Sequence, residues 1–244
     1  MRKLFFLILF ACISGMMQAQ QINKDLKPFN RIVASPRVHV ILQKGDRESI
    51  KLVYHDVRES KINIDVNRKT LYIYLDKARK VERHVTYDDR YGSRHGMYDG
   101  VSITAYITYK ELRSLEIRGN QELTCRDAIE SEQFILKAYG ENEITLASLK
   151  TEYFKASLYG ENKLRIQNGK VIEQKYKLYG ENRIDTQGLK SAYTTTSIFG
   201  EGDLKINSSE EVRVNAFGEP AIYVAGGGQV NKRLIFGKAS IYRR

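Results

Sequence analysis

The second half of the chain repeats a glycine-centred sequence about every twenty residues. Tyr-Gly-Glu-Asn occurs at 139–142, 159–162 and 179–182, and versions with Phe in place of Tyr follow around Gly200, Gly218 and Gly237. With an earlier copy at Gly119, the successive glycines are 21, 20, 20, 20, 18 and 19 residues apart. Such a repeat is typical of a stacked architecture, because one unit cannot bury its apolar residues without its neighbours.

Apolar and mostly polar residues alternate within each repeat, which predicts β-strands rather than helices. The fourth and sixth residues after each glycine are expected to point inward; these are Leu123/Cys125, Ile144/Leu146, Leu164/Ile166, Ile184/Thr186, Leu204/Ile206 and Ile222/Val224. The period predicts an all-β fold, a single-stranded parallel β-helix with coils of about twenty residues. Propeller blades need about forty residues, and the leucine-rich pattern is absent. An up-and-down barrel with strands of about ten residues remains the structural alternative.

The recurring glycine and asparagine residues have a structural interpretation. Glycine suits a sharp bend that needs a positive φ or a close approach of two backbones. Asn142, Asn162 and Asn182 follow their glycines by two residues and are expected to stack and hydrogen-bond between coils. Cys125 takes an inward position, where we expect it to pack as a small apolar residue rather than to react.

The first half of the chain reads as short alternating strands with one interruption. Strands are expected at Val38–Leu42, Ile50–Tyr54, Ile62–Val66 and Leu71–Leu75, and again at 101–109. Residues 76–100 hold eleven charged residues and are expected to form a long exposed excursion. Since no Ser- or Pro-rich linker separates the halves, we expect one domain over 27–244, with the N-terminal strands capping the open edge of the solenoid.

The first nineteen residues have the pattern of a secretory signal peptide. Arg2 and Lys3 precede an apolar run over 4–13, and Ala19 supplies a small residue for cleavage. The run is too short for a stable membrane span, and no transmembrane segment is expected later. Export to the periplasm, outer membrane or extracellular space is therefore expected, with lipidation at Cys12 as the alternative. Without residues 1–19 the formal charge falls from +11 to +9.

The order of several short motifs resembles that of the head GIN domain family. These motifs are Phe29-x-x-Ile32, Val38–Leu42 followed by Gln43-Lys44-Gly45, Val101-Ser102-Ile103-Thr104, Leu112-x-x-Leu115, Gly119-Asn120, and the ending Phe217-Gly218-Glu219-Pro220 with Gly226-Gly227-Gly228. The resemblance spans about residues 27–244. It implies an exported bacterial adhesin with a right-handed β-helix related in shape to pectin lyases, and it implies no catalytic residues. The family's Gly-Ser-Gly turns are replaced here by Tyr-Gly-Glu-Asn.

Equivalent positions of the repeat form columns of like residues that are candidate binding sites. The candidates are Tyr139, Tyr159 and Tyr179, Glu141, Glu161 and Glu181, and Asn142, Asn162 and Asn182. Stacked aromatics either support one another or offer a platform for sugar rings. Carboxylates one coil apart repel by about 1 kcal/mol in water, which solvent, Lys163 and Arg183, or a bound Ca²⁺ would relieve.

Other chemistry has little support in the sequence. His84, Asp88, Asp89, His95 and Asp99 lie in the charged excursion, but their spacing matches no standard zinc motif. No nucleophile, phosphate-binding or dinucleotide-binding motif occurs, and the scattered Lys and Arg residues lack the cues of nucleic-acid readers.

Three functions are consistent with these observations. The first is a non-enzymatic binding module of the cell envelope that recognises an acidic glycan or an envelope surface, since the net charge is positive. The second is an enzyme resembling polysaccharide lyases, which rests on fold shape alone. The third is a self-assembling structural protein. Enzymatic activity and oligomeric state stay open at this point.

Overall fold

The computed structural model describes residues 20–86 and 94–243, and 78% of them lie in β-strands. In chain order the strands are β1 (Gln20–Asp25), β2 (Arg31–Ala34), β3 (Val38–Lys44), β4 (Ser49–His55), β5 (Ile62–Asn67), β6 (Thr70–Leu75), β7 (His84–Thr86), β8 (Arg94–Gly96), β9 (Ser102–Tyr109), β10 (Ser114–Glu130), β11 (Gln133–Gly160), β12 (Asn162–Gly218), β13 (Ala221–Ala225), β14 (Gln229–Gly237) and β15 (Ser240–Arg243). A 3-10 turn at Glu59–Lys61 precedes β5. The expected leader with Cys12 lies outside the described residues, whose elements include no helix long and apolar enough to cross a membrane.

Strands β10, β11 and β12 wind as a solenoid in which each coil pairs in parallel with the next. A coil has three sides: side A (153–159 in one coil) ends at the corner glycine, side B (162–166) follows the corner, and side C (168–171) leads back. Side A pairs with 173–179 one coil on, while sides B and C pair with 143–146 and 148–151 one coil back. The all-β parallel β-helix with coils of about twenty residues is therefore confirmed.

The inward positions form one continuous core through the coils. Ile144, Leu164 and Ile184 are at most 2% exposed and stack in register on side B. Cys125 belongs to the next inward column of side B, with Leu146 and Ile166, and packs as expected. Its Sγ lies 3.4 Å from the Tyr109 hydroxyl and donates to the Asp127 carbonyl at 3.3 Å. Burial raises the pKa of this thiol, which keeps it protonated and unreactive.

One part of the interior is polar instead of apolar. The Gln174 amide donates to the Ser191 and Thr194 hydroxyls, each at 2.9 Å. The Tyr176 hydroxyl donates to Gln174 Oε1 at 2.9 Å and lies 2.7 Å from the Thr186 hydroxyl. Burial raises the pKa of Tyr176. Since these groups satisfy one another, the polar cluster can be buried without a large penalty.

The corner glycines permit the stacking. Gly160 has a φ of +105°, and a Cβ atom built on it would lie 2.4 Å from the Gly140 carbonyl oxygen. The equivalent glycines at 140, 180, 200, 218 and 237 have positive φ values, and each would bring a Cβ to 2.1–2.5 Å from the glycine carbonyl one coil earlier. Only glycine fits because the coils meet backbone to backbone at this corner.

The N-terminal segment extends the solenoid out of sequence order. Strands β2 and β3 pair in parallel with β10, and β6 and β9 pair in parallel with β2 and β3. These strands form two further coils, which the antiparallel strands β4, β1 and β5 then close. The expected strands are present, but β2, β3, β6 and β9 are coils of the helix, and the cap itself is β1, β4 and β5.

The charged excursion between β6 and β9 contains a small sheet and two buried side chains. Strands β7 and β8 form a small antiparallel sheet. Arg37 donates to Glu82 at 2.8 Å, and the Tyr98 hydroxyl donates to the Asp76 carbonyl at 2.8 Å. Ala78 and Tyr98 are buried. These contacts attach the base of the excursion to the outermost coils, while most of its other described residues are exposed. Asp88 and Asp89 lie outside the described residues.

We predict that Gly160→Ala destabilises the protein by roughly 2–5 kcal/mol, because the new methyl group combines an unfavourable φ with a backbone clash. Chemical denaturation of purified protein measures this change. Gly227→Ala is the matched control, since Gly227 also has a positive φ (+84°) but nothing lies within 4 Å of its added Cβ. Equal losses in the two variants would contradict close stacking at the corner.

Candidate functional site

An aromatic ladder runs along the outer surface of side A, next to the glycine corner. It comprises Tyr139, Tyr159, Tyr179, Phe199, Phe217 and Phe236, one residue before each corner glycine. Successive ring centroids are 4.7–5.1 Å apart, with interplanar angles of 3–13°. The spacing matches the separation of paired strands, so each ring lies over the ring of the neighbouring coil.

Stacking determines what the ladder presents to solvent. Both faces of Tyr159 and Tyr179 are covered by neighbouring rings, so their edges and hydroxyl groups point outward. The Arg118 guanidinium covers the first ring, 4.6 Å from the Tyr139 centroid. Phe236 ends the ladder and is 61% exposed. A sugar ring could stack face to face only on Phe236, whereas the tyrosines can contact a ligand only by their edges and hydroxyls.

The glutamates lie on the other side of the corner and are all exposed. Arg183 donates to Glu181 at 2.7 Å, and Asn120 donates to Glu141 at 3.3 Å. Lys163 lies 4.0 Å from Glu143 of the preceding coil. Arg183 therefore reduces the repulsion within the glutamate column as expected. Lys163 instead lies near Glu143, which is not a member of that column. These side chains line a groove of about 390 Å³ with a net charge of −3, from five glutamates and two cations.

The three asparagines form the floor of this groove. Asn142 donates to Asn162 at 2.9 Å, and Asn162 donates to Asn182 at 3.1 Å. Each is at most 2% exposed. Gln121 takes the same position one coil earlier, and its Oε1 and Asn142 Oδ1 have no hydrogen-bond partner within the described residues. The amides thus connect the coils as expected, and their role in ligand binding stays a prediction.

Calcium binding by the glutamate column also stays a prediction. Among the described residues, no group of three or more His, Cys, Asp or Glu side chains is placed to hold a metal ion. In the excursion, His95 Nδ1 lies 3.5 Å from Asp99, and both side chains are more than half exposed.

A lysine cluster on side A was missed in the sequence analysis. Lys137 and Lys177 precede their ladder tyrosines by two residues, and Lys155 and Lys175 precede theirs by four, so all four share the outer face of the sheet. Lys155 and Lys175 are paired in register. Within residues 20–86 and 94–243, none of the four forms an ion pair. An alignment of the repeats that compares equivalent positions would have revealed these lysines. The net charge of whole segments does not reveal them.

The lysines repel one another. The pKa of Lys155 is lowered, first by burial and then by the ammonium groups of Lys177, Lys175 and Lys137. The aromatic ladder separates this basic face from the acidic groove beyond the corner. A bound anion would reduce the repulsion, because it would place negative charge among ammonium groups that have no carboxylate partner within residues 20–86 and 94–243.

The excursion sits at the same corner as the glutamates, but at the far end of the molecule. The excursion joins β6 to β9 in the outermost coil, and Pro36 and Arg37 join β2 to β3 at the same corner of the next coil. Gly119 occupies this corner one coil further on, since a Cβ built on it would lie 3.1 Å from Pro36. Three coils therefore separate Glu161 from the excursion along the corner. The excursion does not line the acidic groove of the described structure.

Comparisons with known proteins agree with the fold. The crystal structure of a "putative adhesin" from Parabacteroides merdae ATCC 43184 is similar with 16% identity and a TM-score of 0.68, over 94% of this chain and 98% of that one. A "putative adhesin" from Bacteroides fragilis NCTC 9343 is similar with 16% identity and a TM-score of 0.70, over 93% and 98%. A "putative lipid binding protein" from Parabacteroides distasonis ATCC 8503 is similar with 13% identity and a TM-score of 0.63, over 94% and 98%.

No curated protein matches the sequence. The family model described as "Putative auto-transporter adhesin, head GIN domain" matches residues 28–228, which cover most of the solenoid and all four lysines of side A. Because the match includes the N-terminal coils, the excursion and the repeats together, the chain belongs to the head GIN domain family.

Proposed function

We propose that this protein is an exported adhesin-like module of the cell envelope that binds an acidic polysaccharide on the outer face of side A. The observation that carries the proposal is the cluster of Lys137, Lys155, Lys175 and Lys177, whose charges have no carboxylate partner among the described residues. The membership in an adhesin family supports a role in surface binding. The expected signal peptide supports export.

The shape of the face suits an extended polymer. Parallel strands place the lysines of successive coils about 4.8 Å apart, along a flat sheet rather than in a closed pocket. A chain of uronate or sulfated sugars would lie along the coils and contact several ammonium groups at once. Each contact is weak on its own, so affinity depends on the number of contacts and decreases with added salt.

The ladder tyrosines supply polar groups beside the lysines. Tyr159 and Tyr179 present hydroxyls that can donate to or accept from sugar hydroxyls and carboxylates. The glutamates of the neighbouring groove would repel the same ligand, so Glu141, Glu161 and Glu181 would limit binding to the lysine side of the ladder. The two predicted columns would thus have opposite effects on an acidic glycan, since the tyrosine hydroxyls would bind it and the glutamates would repel it.

We expect the Lys155→Gln/Lys175→Gln variant to bind polygalacturonate roughly fivefold to thirtyfold more weakly, since each exposed ionic contact contributes about 0.5–1 kcal/mol. Isothermal titration calorimetry at two salt concentrations measures the affinity and its salt dependence. Lys170→Gln/Lys190→Gln is the matched control, because it removes the same charge from exposed positions on side C.

Three outcomes would contradict this proposal. Equal weakening in both lysine variants would mean that only net charge matters. Equal binding of polygalacturonate and an uncharged polysaccharide would mean that the lysines do not select an anion. If vesicles containing an anionic lipid bind through the same lysines and polygalacturonate does not, the partner is a membrane surface and the glycan proposal is wrong.

The Tyr159→Phe/Tyr179→Phe variant tests the hydroxyls separately from the stack. Phenylalanine already occupies the ladder at 199, 217 and 236, so we expect the thermal midpoint to change by no more than a few degrees. Affinity for polygalacturonate should fall roughly fivefold to 150-fold if each of the two hydroxyls makes one hydrogen bond of about 0.5–1.5 kcal/mol. Unchanged affinity with an intact fold would remove the tyrosines from the binding site.

A further inference from the structure

Ser157 lies at the centre of the lysine cluster on side A. It pairs in register with Lys177 of the following coil, and Lys137 holds the equivalent position in the preceding coil. Lys155 precedes the serine by two residues on the same face. Lysines therefore flank this serine on three sides, across the coils at strand spacings of about 4.8 Å and along the strand at about 6.6 Å.

The hydroxyl group of Ser157 is buried but has no partner. Ser157 is only 5% exposed, although its side chain points outward between the inward Ala156 and Leu158. A short outward side chain is buried only by longer neighbours, and the three flanking lysines, all half-buried themselves, provide them. Within residues 20–86 and 94–243 the hydroxyl forms no hydrogen bond, and its oxygen is not among the fully enclosed atoms. It can therefore donate to a group that enters from the outer face.

The ammonium groups around this serine are close enough to act on one another. The pKa of Lys155 is lowered first by burial and then by the charges of Lys177, Lys175 and Lys137. Because Lys137 and Lys177 stand on opposite sides of Ser157, their combined effect on Lys155 places positive charge around the serine from three directions. One anion seated above Ser157 would contact the hydroxyl and these ammonium groups together.

The geometry of these donors favours a tetrahedral anion over a planar one. A carboxylate has two oxygens in one plane, which the planar fork of arginine matches best, and the cluster contains no arginine. Lysine ammonium groups are point charges whose donors rotate freely. A sulfate or phosphate ester directs three terminal oxygens away from the sugar that carries it, so one donor below and several at the sides can each find an acceptor.

We propose that Ser157 and the lysines around it form a subsite for a sulfate or phosphate ester of the bound polysaccharide. This inference rests on the proposed function, because it names the acidic group that the same face selects. Ser157 Oγ donates to one terminal oxygen of the ester, and the ammonium groups of Lys137, Lys155 and Lys177 donate to the terminal oxygens from the sides. Uronate carboxylates bind the same face more weakly, because they accept from fewer of these donors at once.

Dextran sulfate and carboxymethyl dextran of equal length and substitution test this selectivity, because they differ only in the anionic group. We expect calorimetric titration to show roughly tenfold to hundredfold weaker binding of dextran sulfate by Ser157→Ala, since a hydrogen bond to a charged group is lost. Binding of carboxymethyl dextran should change much less. Ser197→Ala is the matched control and should bind normally, because Ser197 lies between Lys177 and Asn215 instead of between two lysines. Unaltered thermal midpoints would confirm that both variants are folded.

Three results would overturn the subsite. They are unchanged affinity of Ser157→Ala for dextran sulfate, equal weakening by Ser197→Ala, and equal affinity of the wild-type protein for the two dextrans. None of them affects the proposed function, which fails only if Lys155→Gln/Lys175→Gln leaves binding of polygalacturonate unchanged. The two proposals therefore fail on different variants.

Two further probes identify the source of the ester. Dextran phosphate separates phosphate from sulfate, because its second proton is lost at a pH of about 6 and its affinity should then rise with pH, whereas that of dextran sulfate should not. Tighter binding of either polymer than of carboxymethyl dextran supports the subsite. Vesicles containing phosphatidic acid that bind through Ser157, with no binding of either dextran ester, would assign the site to a lipid headgroup and overturn the proposal.

Discussion

The close approach of backbones at the glycine corner is the constraint on which the solenoid depends. At each of six coils, the space where a Cβ would stand is occupied by the carbonyl of the preceding glycine. The positive φ of these residues turns the chain from side A to side B within one residue, and so keeps the inward positions of both sides in register. Any side chain at the corner would separate two coils and expose the core on both sides of it.

Once the register is set, equivalent residues of successive coils must lie next to each other, and their chemistry decides the result. Tyr and Phe rings stack at 4.7–5.1 Å, and buried asparagines form hydrogen bonds with one another. Glutamates cannot do either, so they turn into solvent or pair with Arg183. Lysines at two outward positions gather without carboxylate partners in the part of the chain that the structure describes. The repeat therefore creates adjacent acidic and basic strips, separated by aromatic rings, from a sequence whose overall charge does not reveal them.

Much of the fold follows from the period and the alternation of the sequence. Strands at 38–42, 50–54, 62–66 and 71–75 were predicted within two residues of the observed ends. Other features depend on contacts between distant residues. Thr186, placed among the apolar inward residues, belongs to a hydrogen-bonded cluster with Tyr176 that exists only once the coils stack. The order of β2, β3, β6 and β9, the sheet in the excursion and the coverage of the tyrosine faces likewise arise from three-dimensional neighbours that no local pattern identifies.

The central claim, that the chain stacks in steps of about twenty residues, can be measured by NMR of protein labelled in Tyr and Phe. Nuclear Overhauser contacts report protons within a few ångströms. Stacking in register predicts that the Tyr159 ring contacts the rings of Tyr139 and Tyr179, and that the Phe199 ring contacts those of Tyr179 and Phe217. Ring contacts of Tyr159 with residues about ten positions away, and none with Tyr139 or Tyr179, would contradict the solenoid and indicate a barrel.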